Sequence, residues 1–248
     1  MTPDLIRGDA FQLPFCGESF TVVVCDPPYA GRNRGKKGVG YKQAGYVPFA
    51  GRSWWYEAWR VLKPSGHLYV FAAIREQRAW HREIEEPAVD TIAWFAPNNP
   101  SVSAFWRRGI GGRAPAWRPI LHWQKPPPVP IPWEGVYEGR LHPITGKQMF
   151  SGPGVYVDPN VFVTAAIQSN MHEAEEWPNQ LPVKLLTWLL RPHKGALVLD
   201  LFSGTGTTRE AAAGLGLRYV SVELAPQAIA LIRDRPLQSG RVVAEGRD

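Results

Sequence analysis

Cysteine is scarce in this 248-residue chain, with Cys16 and Cys25 the only two. Two thiols cannot build a disulfide framework or a four-thiolate zinc site. Cys25 ends an apolar run, which suits a buried, inert thiol. Long apolar runs are also missing: none approaches the roughly 20 residues needed to cross a bilayer, and residues 1–9 lack a signal-peptide core. The expectation is a cytoplasmic protein with no membrane partner. Six histidines (His67, His81, His122, His142, His172 and His193) show no metal-ligand spacing. Each is expected to be an ordinary core or surface residue, and no metal site is expected.

Carboxylates are missing from two long stretches. From Ala30 to Ser53 the chain carries Arg32, Arg34, Lys36, Lys37, Lys42 and Arg52 without one acidic residue. From Thr91 to Trp133 it carries Arg107, Arg108, Arg113, Arg118 and Lys125, again with none. The formal net charge of +6 is therefore concentrated, a distribution suited to a phosphate backbone. Aromatics alternate with these cations at Trp106-Arg107, Trp117-Arg118 and Trp123-Gln124-Lys125, where base stacking and core packing are equally open.

With 44% hydrophobic and 20% charged residues, the composition is that of a globular chain. Its length allows one domain, or one with an insertion. The β-branched run 20–25 reads as a buried strand, and the unpatterned stretch 31–51 as a long loop. Ser53 can cap a helix over 54–63, where Trp55, Ala58, Trp59 and Leu62 form an apolar stripe. Pro64-Ser65-Gly66 turns the chain into a strand over 67–73. A helix over 75–86 and strands over 89–95 and 117–124 follow. Lys125 opens a stiff proline-rich segment ending at Pro132. Beyond it, 133–176 is rich in Gly, Pro and aromatics without a clear element. Pro182 suits the first turn of a helix that Pro192 stops. A strand over 196–201, a helix from Thr207 to Gly216 opened by a Thr207/Glu210 capping box, a strand over 219–223 and a helix over 227–235 complete the pattern. A short apolar run, 242–244, ends the chain. Strands alternating with helices imply a mostly parallel α/β sheet.

Two constellations carry chemistry. The strand ending at Asp200 runs into Leu201-Phe202-Ser203-Gly204-Thr205-Gly206-Thr207-Thr208 and then a helix. Glycines there let the backbone turn tightly, and the helix start offers free N–H groups. Glu223 ends the following strand, where a carboxylate would meet ribose hydroxyls. Arg209 replaces the third glycine of G-x-G-x-x-G, and no G-x-x-x-x-G-K-[ST] occurs. An adenosyl ligand without pyrophosphate fits better than a dinucleotide. The second constellation, Asp26-Pro27-Pro28-Tyr29, follows a buried strand. A base amino group is a poor nucleophile because its lone pair is delocalised. A carboxylate and a rigidly held carbonyl can accept both N–H bonds and free that lone pair. Prolines fix the segment, and Tyr29 can stack on an extruded base.

Together, Asp26-Pro27-Pro28-Tyr29 and the glycine turn resemble the DNA amino-methyltransferases that act on adenine N6 and cytosine N4. The order is that of the subgroup in which the catalytic tetrapeptide precedes the cofactor segment, with target recognition between them. Trp177-Pro178-Asn179-Gln180-Leu181-Pro182 is similar to the family's His-Pro-Thr-Gln-Lys-Pro segment, with Trp177 and Leu181 departing from it. Gly8-Asp9 resembles an element whose aspartate contacts the cofactor's adenine.

The resemblance implies a Rossmann-like methyltransferase fold with a seven-stranded, mostly parallel sheet. The catalytic domain would comprise 1–125 and 177–248, with a target-recognition insert over 126–176. It implies S-adenosylmethionine as cofactor, held by Asp9, Asp200, Phe202, Ser203, Gly204, Thr205, Gly206, Thr207 and Glu223. Catalysis would fall to Asp26, Pro27, Pro28 and Tyr29, with DNA as partner and a homodimer left open. Adenine is favoured because the family usually sets an acidic or amide residue before Pro-Pro for adenine and serine for cytosine. The rivals are N4-cytosine transfer, an RNA or protein amino-methyltransferase, and an inactive DNA-binding scaffold. C5-cytosine chemistry is excluded because neither cysteine follows a proline, and zinc deamination because its His-x-Glu and Cys-x-x-Cys are absent.

Overall fold

Valine-rich β2 (Phe20–Cys25) is buried almost throughout. Val23 and Cys25 enter one core while Val22 and Val24 enter another. A strand buried on both faces needs helices on both sides of its sheet, and the rest of the chain supplies them. The structure is a computed structural model that describes residues 4–28, 53–96, 117–129, 161–164 and 180–234. Tyr29, the stretch 31–51, the 242–244 run and most of 126–176 lie outside the described residues.

The remaining strands and α-helices are β1 (Leu5–Arg7), α1 (Trp54–Val61), β3 (Leu62–Phe71), α2 (Gln77–Glu83), β4 (Asp90–Phe95), β5 (Trp117–Gln124) and β6 (Val161–Val163), then α3 (Val183–Leu190), β7 (Leu197–Asp200), α4 (Thr207–Gly214), β8 (Arg218–Glu223) and α5 (Pro226–Asp234). One sheet runs in the order β1-β8-β7-β2-β3-β5-β4-β6. Its pairings are parallel except for β5, which runs antiparallel to both β3 and β4. One core holds the aromatic side of α1 and α2, with Trp54, Trp80 and Trp123. The other holds Leu185, Leu186 and Leu189 of α3 with Ala211 and Ala212 of α4. Among the described residues, no helix is long and apolar enough to cross a membrane.

The sheet has eight strands rather than the expected seven. Two of its strands, β1 and β6, span three residues each and leave no periodic trace in the sequence. β6 falls inside the 126–176 stretch, so those three residues belong to the main sheet. Helix α1 stops at Val61, and Leu62 already pairs with Phe20. Pro64-Ser65-Gly66 then breaks the register before His67 pairs with Val22, with Ser65 at φ 61°. The capping box at Thr207 does not form. Gly206 is the N-cap at φ 80°, with no side-chain cap, because the turn needs a left-handed backbone just before the helix. Ser53 and Pro182 are N-caps, also without side-chain capping bonds.

Candidate active site

Four neighbouring parallel strands, β1, β8, β7 and β2, bring acidic residues to one edge of the sheet. Asp9 follows β1, Glu223 ends β8, Asp200 ends β7 and Asp26 follows β2. Backbone bonds lock their relation. Gly8 N–H donates to the Glu223 carbonyl (3.1 Å), and Leu201 N–H to that of Val24 (3.3 Å). Val24 is in register with Asp200, so Asp26 emerges beside the glycine turn. Adjacent parallel strands lie about 4.8 Å apart, and such an edge is where open α/β sheets bind ligands.

The turn holds itself in shape. Asp200 Oδ1 accepts the Phe202 N–H at 3.0 Å, the Ser203 hydroxyl donates to the Asp200 carbonyl at 3.2 Å, and Gly206 N–H donates to the Ser203 carbonyl at 2.7 Å. Gly206 has positive φ, and a Cβ there would stand 3.2 Å from Ile232 Cγ1. Glu223 ties turn to strand: Oε2 accepts the Gly204 N–H, while Oε1 accepts those of Leu224 and Ala225, each at 2.8 Å.

Burial pushes the Asp200 carboxyl up to about 7, and the charges of Glu223 and Asp26 push the same way. Bonds from Thr208 and the Phe202 N–H oppose the rise. Burial also raises Glu223, against its three backbone N–H donors. Cys25 is raised by burial first, then by Asp200 and Asp26. Carboxylates thus crowd an edge from which an anion is repelled, and the Gly204 N–H that could cradle a phosphate is already held by Glu223. A ligand with positive charge and hydroxyl donors suits this set, whereas a pyrophosphate does not.

The expected site residues separate by depth. Asp200, Ser203, Thr205 and Thr207 are buried beneath the turn, where Thr205 Oγ1 meets Thr207 Oγ1 at 3.3 Å. Phe202, Gly204 and Glu223 are part-exposed, and Asp9 is exposed with Oδ1 accepting the Phe11 N–H at 3.0 Å. Pro27 is buried, and Asp26 and Pro28 are half-buried. Gln180 is buried just ahead of α3. Sequence reasoning missed α1 as a neighbour of the site: Trp54 lies edge-on to Phe202 at 5.2 Å, and Glu57 and Arg60 grip the segment after Asp9. Only the helical stripe pointed to α1, and it did not say which loop the helix touches. Phe11, Ile74, Phe95, Val163 and Leu224, all exposed, follow or end strands at this same edge.

Comparisons with known proteins agree with this architecture. The N6/N4 family model described as DNA methylase matches residues 20–234. The type II methyltransferase M.HpaI of Haemophilus parainfluenzae is 23% identical over 231 residues, 88% of this chain and 68% of that protein. The cytosine-N4-specific PvuII DNA methyltransferase superposes with a TM-score of 0.62 at 20% identity, covering 92% of this chain and 84% of its own. M1.HpyAVI, solved as a SAM complex, superposes with a TM-score of 0.60 at 17% identity, covering 93% of this chain and 97% of its own. The match spans both candidate loops and most of the chain, which belongs to the N6/N4 DNA methylase family.

Proposed function

We propose that this chain methylates the exocyclic N6 of adenine in DNA with S-adenosylmethionine as donor, the N4 of cytosine being the alternative. One observation carries the reading: the segments bearing Asp26 and the glycine turn leave adjacent, in-register parallel strands at the same sheet edge. The donor supplies, when bound, an electrophilic methyl on a sulfonium. Its positive charge and ribose hydroxyls suit the acidic edge described above. Glu223 would accept from the ribose, Asp9 from the adenine amine, and Phe202 with Gly204 and Gly206 would line the methionine side. Asp200, Ser203, Thr205 and Thr207 would shape that turn from beneath.

Asp26 and the Pro27 carbonyl would accept the two N–H bonds of the target amino group. This holds the nitrogen with its lone pair free and gives the departing proton an acceptor. Pro28 stiffens the segment and Tyr29 would stack on the extruded base. The two carboxylate-free basic stretches favour a polyanionic partner, and 126–176, apart from β6, would supply target recognition. The choice of adenine rests on an acid, Asp26, standing before Pro27-Pro28.

Expression in a host free of both modified bases, followed by base-resolution mapping, tests this. The expected result is N6-methyladenine within one short motif, absent from cells expressing Asp26→Ala. N4-methylcytosine would transfer the assignment to the alternative, and no mark of either kind would refute the function.

A further inference from the structure

Helix α1 reaches the segment after Asp9 through two charged side chains. Glu57 Oε2 accepts the Leu13 N–H at 2.8 Å. Arg60 donates to Glu57 through Nε at 2.6 Å and Nη2 at 2.7 Å, and also to the Phe15 carbonyl at 2.8 Å and the Leu13 carbonyl at 3.3 Å. The backbone of Leu13 is therefore held from both its N–H and its carbonyl. The segment between β1 and β2 has little ladder of its own, an isolated bridge between Asp9 and Gln12. Ala10 and Leu13 are buried while Asp9 and Phe11 point outward. One turn earlier on α1, Trp54 supports Phe202, so a single helix backs both the Asp9 segment and the glycine turn.

We infer that Glu57 and Arg60 are positioning residues for the cofactor: they fix the Asp9 segment so that its carboxylate stays beside the end of β8. This rests on the proposed role of Asp9. Their hydrogen bonds run to Leu13 and Phe15, in the segment after Asp9, so the pair acts on cofactor affinity and not on transfer. The fork geometry of Arg60 matters. A lysine ammonium is a single point and cannot span both Glu57 oxygens and two carbonyls.

The test measures S-adenosylmethionine binding by calorimetry on the full chain, together with steady-state KM and kcat. Glu57→Gln and Arg60→Ala should each raise the cofactor Kd about five- to tenfold, the net scale of one ordinary hydrogen bond. Arg60→Lys should fall between them and the parent, with kcat at saturating cofactor changing less than about twofold. Hydrogen exchange at the Leu13 amide should accelerate in Glu57→Gln while the melting curve shows a folded protein, which separates a loosened segment from an unfolded chain. Asp9→Ala is measured alongside. If Asp9→Ala weakens binding and a folded Glu57→Gln does not, the positioning role is overturned while the reading of Asp9 stands. If Asp9→Ala leaves binding unchanged, the reading of Asp9 fails and takes this inference with it. A fall in kcat at unchanged Kd also overturns the inference.

Discussion

Lowering the pH from 7.5 to 5 should destabilise this protein through three buried histidines. His67, His122 and His193 are only 6%, 6% and 7% exposed. His67 Nδ1 lies 2.9 Å from His122 Nε2, and the Tyr69 hydroxyl lies 2.9 Å from His193 Nε2. The Gln124 amide N–H groups face the carbonyls of Ser65 (3.1 Å) and Val129 (2.8 Å). This fixes that nitrogen, a donor, 3.2 Å from His67 Nε2, which must then be the unprotonated side of the ring. His67 Nδ1–H donates to His122 Nε2, and a second proton on either ring would set donor against donor. Burial lowers His67 from 6.5 to about 4, and lowers His122 and His193 to about 3, with repulsion from the neighbouring rings adding to the last two. Their stabilisation is complete above pH 6.5 and is lost as the pH falls toward 4 and 3, because the unfolded chain binds protons that the folded one refuses. Near pH 5 three such protons correspond to about 4 kcal/mol per pH unit. Asp200 opposes this. Raised from 3.8 to about 7, it takes up a proton in the folded state over the same window, and Glu223 is shifted the same way. The net uptake on unfolding is about one to two protons, or about 1.4–2.7 kcal/mol per unit. From pH 6.5 to 5 the loss is about 2–4 kcal/mol, a large share of an ordinary domain's stability. Urea melts across pH 7.5 to 5 read this slope directly. His122→Gln should flatten it by about 1.4 kcal/mol per unit, and Asp200→Asn should steepen it by a similar amount. A stability independent of pH, or a His122→Gln slope equal to the parent's, would refute the reasoning.

Asp26→Ala should lower kcat by about 10²–10⁴-fold while calorimetry finds S-adenosylmethionine binding within a few-fold of the parent; loss of binding instead would move Asp26 out of catalysis. Gly206→Ala must hold a side chain at φ 80° against Ile232, so a loss of about 1–2 kcal/mol is expected in denaturant melts, together with weaker cofactor binding. Glu223→Ala strips the Gly204, Leu224 and Ala225 N–H groups of their acceptor. Cofactor affinity should fall at least tenfold, with a stability loss of about 2–3 kcal/mol; unchanged affinity would remove Glu223 from the ribose.

Strand β5 matches its expected bounds, 117–124, and β2 its own, 20–25, because each is rich in aromatic or branched aliphatic residues and stops at a clear break, Lys125 and the prolines after it for β5 and Asp26-Pro27-Pro28 for β2. Direction is a different matter. Nothing along Trp117–Gln124 encodes that it runs antiparallel to β3; that follows from how the chain returns to the sheet. The edge strands β1 and β6 escaped for a related reason. Three residues carry no period, and Leu5–Arg7 is a strand only because β8 pairs with it. The acidic edge was legible because Asp26, Asp200 and Glu223 each terminate a recognisable run, and strand ends translate into positions on a sheet.

Side chains that meet across the sheet were not legible at all. His67 and His122 are 55 positions apart, and Tyr69 and His193 are 124 apart. Spacing rules search within one element, so each histidine on its own reads as an ordinary core or surface residue. Alternation held half of the answer: His67 and Tyr69 share a face of β3, and antiparallel register sets His122 opposite Tyr69. The other half, the direction of β5, had to come from the fold. The same logic separates the two roles of α1. Its apolar stripe was visible, yet the polar residue three positions after Trp54 proved to be the one that grips the Asp9 segment. A helix periodicity ranks residues by burial, whereas Glu57 acts through a backbone N–H that belongs to a part of the chain 44 positions earlier.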